Sequence, residues 1–382
     1  MSANSPLHRL SALGQSVWID NLSRDSIRKG GLQALIDDDA VVGATSNPSI
    51  FEKAMTAGDG AYDDQLRTLK GTGEPGSEQA EQVFWALAQQ DVGEACDLFR
   101  STWDGGLGRD GYVSIEVDPR LAYDTLATFR EAIRLHETID RPNLLVKIPA
   151  TKPGLAAIED VIAKGKSINV TLIFSLRRYE EVAESYVRGL ERLVAEGGDP
   201  RVVSSVASFF VSRIDTEADS RLDELARTDA ASAPAVAELK GKLAVANAKL
   251  AYQRYRHVFA GPRWEYLAGK GATPQRVLWA STSTKSPDYP DTLYVDELIG
   301  PDTVNTMPEE TIRAFQDHGS PRTRLTEGVA DAQSVFERLA AVGVDYDDVT
   351  DTLEREGVEK FEASFGELIS SLEEKLGALA AA

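Results

Sequence analysis

Eight short stretches of this chain read as strands, and amphipathic stretches of helical period separate several of them. Seven alternate apolar and polar residues, polar toward their ends. Ser16 to Asp20 sets Trp18 and Asp20 against Val17 and Ile19, and Val41 to Asn47 aligns Thr45 with Asn47. Tyr112 to Asp118 aligns Ser114, Glu116 and Asp118, and Ser167 to Phe174 aligns Asn169 and Thr171. Val202 to Val211 sets Ser208 against Ala207 and Phe209, and Arg276 to Thr282 sets Ser281 against Leu278 and Ala280. Thr303 to Met307 is a weaker candidate. Period two is the strand period, so one face packs while the other carries polar groups near the strand end. Between them, Leu121 to Glu137 places Leu121, Leu126, Phe129, Ile133 and Leu135 at helical spacing, and Leu176 to Ala195 does the same with Tyr179, Val182, Ala183, Tyr186, Leu190 and Leu193. Strands alternating with helices imply parallel pairing with right-handed crossovers. Eight such units with polar strand ends predict an α/β fold, the (β/α)8 TIM barrel, with its site at the strand C-termini. No G-x-G-x-x-G or P-loop pattern follows any of these strands, as the rival doubly wound sheet would need.

The remaining strand carries a residue out of character. Asn143 to Ala150 is an apolar run interrupted by Lys147 and bounded by Pro142 and Pro153-Gly154. An unpartnered ammonium is costly away from water, and the usual escape in such a place is loss of the proton. A neutral amine attacks carbonyl carbon, the first step of Schiff-base chemistry. The plainer readings are a lysine that reaches solvent, or one paired with Asp20 and Glu116. The same two carboxylates also suit catalysis, since imine formation needs a proton shuttle and cleavage of a β-hydroxy ketone needs a base. Asn47, Asn169, Thr45, Thr171 and Ser208 suit a polyhydroxylated substrate.

Composition narrows the class. The 382 residues hold 61 acidic and 41 basic side chains, a net charge of −20, which argues against nucleic acid and anionic membranes as partners. His8, His136, His257 and His318 are scattered without metal-ligand spacing, so a zinc site is not expected; a magnesium site of Asp20, Glu116 and Asp118 is the metal alternative. The single cysteine, Cys96, cannot form an intrachain disulfide, and nothing resembles a signal peptide or a spanning helix. A soluble cytoplasmic protein of one domain over residues 1–382 is the expectation, with a helical insertion at about 52–110 and acidic helices at about 331–382.

Five motifs in order also resemble a known family. Ala44 to Ser49, Val113 to Asp118, Leu145 to Ala150, Ile168 to Ser175 and Ser208 to Asp215 are similar to the successive strand motifs of transaldolase, in its larger, longer-chain subgroup. The resemblance implies a (β/α)8 barrel without metal or organic cofactor. It also implies transfer of a dihydroxyacetone unit between sugar phosphates in the pentose phosphate pathway. It makes Lys147 the Schiff-base lysine, Asp20 the acid/base of the aldol step, and Glu116 with Thr171 the holders of a catalytic water. Asn47 and Asn169 hold the dihydroxyacetone part, Thr45 and Ser208 line the site, and Arg213 binds phosphate. Where many members carry a second phosphate arginine, this chain has Trp279-Ala-Ser-Thr-Ser-Thr-Lys285, so Lys285 is expected to supply that charge, helped by Ser281 and Ser283. A class I aldolase releasing dihydroxyacetone and a barrel that only binds sugar phosphates stay open, as do monomer and homodimer.

Overall fold

The computed structural model describes residues 5–56, 60–69, 76–229 and 231–381. Its strands are β1 (Gln15–Ile19), β2 (Val41–Ala44), β3 (Tyr112–Glu116), β4 (Leu144–Pro149), β5 (Ile168–Ile173), β6 (Ser205–Phe210), β7 (Arg276–Ala280) and β8 (Thr303–Met307). They pair in parallel in chain order, and β8 returns to β1 to close the barrel. The expected (β/α)8 fold is present, including its weakest strand. Several strand ends differ from the sequence reading. Thr45, Ser46 and Asn47 lie beyond β2, and β6 starts only at Ser205, after a 3-10 turn at Pro200–Val202.

Local signals explain where the flanking helices start. Ser175 accepts from the Arg178 amide (3.0 Å) and opens the helix Leu176–Ala195, whose apolar face is buried as its spacing predicts. Thr151 caps Lys152–Ala163 through the Gly154 amide, with Pro153 in the first turn. The helix after β3 needs correction. It runs Thr125–Ile139 and buries Thr128, Ala132, Leu135, His136 and Ile139, while Leu126 is 54% exposed. Leu121 belongs to a separate 3-10 turn, Pro119–Leu121, which shifts the helical phase that the apolar spacing had assigned.

Polar groups close the N-terminal end of the barrel. Arg276 of β7 donates to Ser16 Oγ (2.8 Å), to the Arg109 carbonyl (2.6 Å) and to Asp110 (2.9 Å). Trp18 also reaches Asp110 and fills the barrel centre against Gly43, where an added Cβ would lie 2.6 Å from the indole. β7 therefore turns Arg276 and Ala280 inward and Trp279 outward, against Phe209 at 6.1 Å between ring centres. That is the opposite parity to the one expected from Ser281.

The insertion consists of helices Pro48–Thr56, Asp63–Leu69, Ser77–Leu98 and Arg100–Gly105; the Gly/Pro-rich turn at 71–76 lies, Gly76 apart, outside the described residues. It is tied to the segment after β1 by a buried ion pair, Arg24 Nε to Asp91 Oδ1 at 2.8 Å, with Tyr62 donating to the other carboxylate oxygen. Burial raises the Asp91 carboxyl, and Arg24 opposes that rise. Arg24→Ala would leave the carboxylate buried and uncompensated. Chemical denaturation should show a loss of about 3–5 kcal/mol, and a loss below 1 kcal/mol would mean that the pair does not hold the insertion.

The C-terminal segment forms two helices, Val329–Ala341 and Tyr346–Ala381. The longer one lies across the C-terminal mouth of the barrel. Glu354 accepts from Arg178 (3.1 Å), Ser364 bonds Ser49 (2.8 Å), and Tyr346 OH donates to Asn247 (2.7 Å). Gly357 lets it approach closely, since a Cβ there would stand 3.0 Å from Leu172. No described helix is long and apolar enough to cross a membrane.

Candidate active site

The strand C-termini surround a cavity of about 330 Å³. Register puts the central groups side by side: Glu116 of β3 pairs with Lys147 of β4, which pairs with Asn169 of β5. Lys147 is 5% exposed, its Nζ 3.4 Å from Glu116 Oε2 and donating to the Ser46 carbonyl at 3.1 Å. The paired-lysine reading is thus correct for Glu116. Asp20 is held differently, accepting from Thr45 Oγ1 at 2.7 Å, and Thr45 in turn meets Thr306 Oγ1 at 2.7 Å. Asp118 turns away to pair with Arg120 and cap the following turn, so the three carboxylates do not converge as a magnesium site would need.

The other expected residues take four places. Asn169 lies deep, donating to Ser114 Oγ (3.1 Å) and accepting from Ser208 Oγ (2.6 Å), so its amide orientation is set by both neighbours. Thr171 lines the cavity, and its buried hydroxyl has no hydrogen-bond partner among the described residues; neither has either carboxylate oxygen of Glu116. Asn47 lines the rim and also accepts from the Ile50 amide (3.0 Å) at the start of the following helix. Arg213, Ser281 and Lys285 line another part of the wall. Arg213 lies over the Phe210 ring (5.3 Å) and forms no ion pair among the described residues; Lys285 is exposed and donates to Ser283 Oγ (2.8 Å). Ser281 reaches the cavity because its backbone is left-handed (φ 56°), and it bonds Ser212 Oγ at 2.8 Å. Such strain in a non-glycine residue is held only where surrounding contacts demand it.

Sequence reasoning missed Ser46, Ser114 and Thr306, which orient the groups above, and Phe210, Lys53 and Phe361, which line the cavity. Thr306 had a signal, as the polar residue near the end of β8. Phe361 had none, because only the tertiary path of the C-terminal helix brings it there.

The electrostatics match an acid/base site. Asp20 keeps part of its surface on the cavity, yet the protein packed around it dominates: burial pushes its carboxyl above the usual range, opposed by the Thr45 bond and by Lys147, Lys285 and Arg213. Burial also raises Glu116, opposed by Lys147 and reinforced by Asp20. Carboxyls raised in this way take and return protons more readily near neutral pH. Burial lowers Arg213, against the pull of Asp20 and Glu356.

The sequence pattern of the Transaldolase/Fructose-6-phosphate aldolase family matches residues 17–372. The chain belongs to this family. Among curated transaldolases it is similar to that of Acidothermus cellulolyticus, 54% identical over 97% of both chains. The transaldolases of Frankia alni (50%, over 98% of both chains) and Mycobacterium bovis (51%, over 97% of both chains) are also similar. In this chain Lys147, its neighbour Glu116 and the cations Arg213 and Lys285 all lie at one end of the barrel.

Proposed function

We propose that this chain is a transaldolase in which Lys147 carries the dihydroxyacetone unit as a Schiff base. The observation that supports it most is a buried lysine inside a strand, 3.4 Å from Glu116, opening on a cavity that Asp20 also lines. Lys147 Nζ adds to the C2 carbonyl of a ketose phosphate such as sedoheptulose 7-phosphate or fructose 6-phosphate. Glu116, through a water held with Thr171, protonates the carbinolamine hydroxyl, which leaves as water to give the iminium; Glu116, ion-paired to Lys147 but without a hydrogen bond among the described residues, and the free Thr171 hydroxyl suit that task. Asp20 takes the C4 hydroxyl proton, the C3–C4 bond breaks into the iminium, and an aldose phosphate leaves. The enamine then attacks an incoming aldehyde phosphate such as glyceraldehyde 3-phosphate or erythrose 4-phosphate, Asp20 returns the proton, and water releases the product from Lys147. Asn47, Asn169, Thr45 and Ser208 hold the hydroxyls. Borohydride reduction in the presence of fructose 6-phosphate should fix a dihydroxyacetone adduct on Lys147. A modification elsewhere would overturn the assignment.

The family's description also includes fructose-6-phosphate aldolase, so release of free dihydroxyacetone is the second reading. Products measured with and without an acceptor aldehyde separate the two. A purely binding barrel has no use for the buried lysine, and the cytoplasm is where its soluble sugar phosphate substrates would be met.

Arg213 and Lys285, with Ser281, form the phosphate site in this reading. A dianion entering a chain of net charge −20 needs local cations, and Arg213 is free of ion pairs among the described residues. Arg213→Ala or Lys285→Ala should raise KM for phosphorylated donors by about ten- to a hundredfold and leave unphosphorylated fructose or dihydroxyacetone nearly unaffected. Equal losses for both in Lys285→Ala would remove it from the phosphate site.

A further inference from the structure

A second, minute cavity of about 10 Å³ borders Glu116. Apart from the chain around Glu116 itself and the Asn47-Pro48 corner, its walls are aromatic: Phe51, Phe84, Trp85 and Phe365. These rings pack together, with centroids 5.8 Å apart for Phe51–Phe84, 4.9 Å for Phe84–Trp85 and 5.4 Å for Phe84–Phe365. A space of that size is at the lower limit for one water, which also needs at least two polar partners. At about 10 Å³ the space is too tight for more than a single water, so the rings rather than solvent cover this side of Glu116. Glu116 therefore has an aromatic wall beside it and no hydrogen bond to either carboxylate oxygen among the described residues.

None of the four rings comes from a barrel strand. Phe84 and Trp85 belong to the inserted helix Ser77–Leu98, and Phe365 to the C-terminal helix. We propose that the insertion and the C-terminal helix meet to form a dry wall beside Glu116, and that Phe365 and Trp85 are positioning residues for its proton transfer during imine formation. The proposal rests on the reading of Glu116 as the acid/base of that step. A carboxyl deprived of water on one side ionises less readily, which keeps a proton available to the carbinolamine hydroxyl.

The charged groups around this wall are few. Lys147 faces Glu116 at 3.4 Å and Asp20 acts on it across the site. Arg120 lies over the Phe365 ring at 5.0 Å, held by Asp118 and Glu81, and Arg134 lies over Trp85 at 5.6 Å, held by Glu131.

The test is the pH dependence of imine formation, read as the rate of borohydride trapping with fructose 6-phosphate. The limb that disappears in Glu116→Gln identifies the Glu116 titration. Phe365→Ala should admit water and move that limb to lower pH by about one unit, whereas Phe365→Leu, which keeps the wall apolar, should move it far less. Trp85 is only half-buried, so Trp85→Ala provides a second variant with the same expected direction should Phe365→Ala not fold. A limb that stays in place while rates fall equally at every pH would overturn the proposal, leaving the rings a packing role. So would a shift that vanishes in an Arg120→Met background, because a freed cation rather than water would then have moved the carboxyl. If Glu116→Gln itself leaves trapping unchanged, the proton-transfer reading of Glu116 fails instead, and the same assay distinguishes the two failures.

Discussion

Lys147→Ala should abolish transfer of the dihydroxyacetone unit while leaving the barrel folded, and Lys147→Arg should do no better. Losing a covalent nucleophile removes the reaction path itself, and such losses cost many orders of magnitude. Arginine retains the charge beside Glu116 but cannot add to a ketone, so it separates nucleophilicity from ion pairing. Circular dichroism and gel filtration would check the fold, and a coupled assay with fructose 6-phosphate and erythrose 4-phosphate would check turnover. Either variant keeping more than about a tenth of the activity would rule Lys147 out as nucleophile. Lys147 then would be what the plainer reading supposed, the counter-ion of Glu116.

The second large effect should divide the two raised carboxyls by step. Asp20→Ala is expected to lose about 10²–10⁴-fold in turnover yet still form a borohydride-trappable adduct, because its proton transfer follows imine formation. Glu116→Gln should slow the trapping itself. The geometry motivates the division: Glu116 lies beside the amine at 3.4 Å, whereas Asp20 sits at the cavity wall, bonded by Thr45. Rapid, equal trapping in both variants would remove it.

Much of this was legible along the chain because period two is a local property. Each strand's alternation marks which side chains can share a face, and polar residues near a strand end stand out against it. Asp20, Glu116, Asn169, Thr171 and Ser208 were singled out this way, Lys147 by interrupting an apolar run, and the order of strands and helices pointed to a closed barrel. The same logic misled where the backbone departs from the strand. Ser281 enters the cavity through a left-handed residue after Ala280, so its parity in the sequence pointed the wrong way for the rest of β7. Asp118 shares the parity of Glu116 but lies past the strand, where the turn at Pro119 gives it to Arg120.

Read along the chain alone, the sequence specifies the repeating unit, the end of the barrel where the polar groups gather, and a lysine among them. Backbone geometry and local hydrophobic contrast are sufficient for those. How the remaining polar and aromatic groups were matched depends on the packed fold. Arg276 finds Ser16 and Asp110, Arg24 finds Asp91, and Phe361 and Phe365 arrive at the site from the far end of the chain. Pairings of this kind join residues up to hundreds of positions apart, and no local period encodes them. They are set when a buried charge must meet its counter-ion and an apolar helix face must cover the barrel mouth.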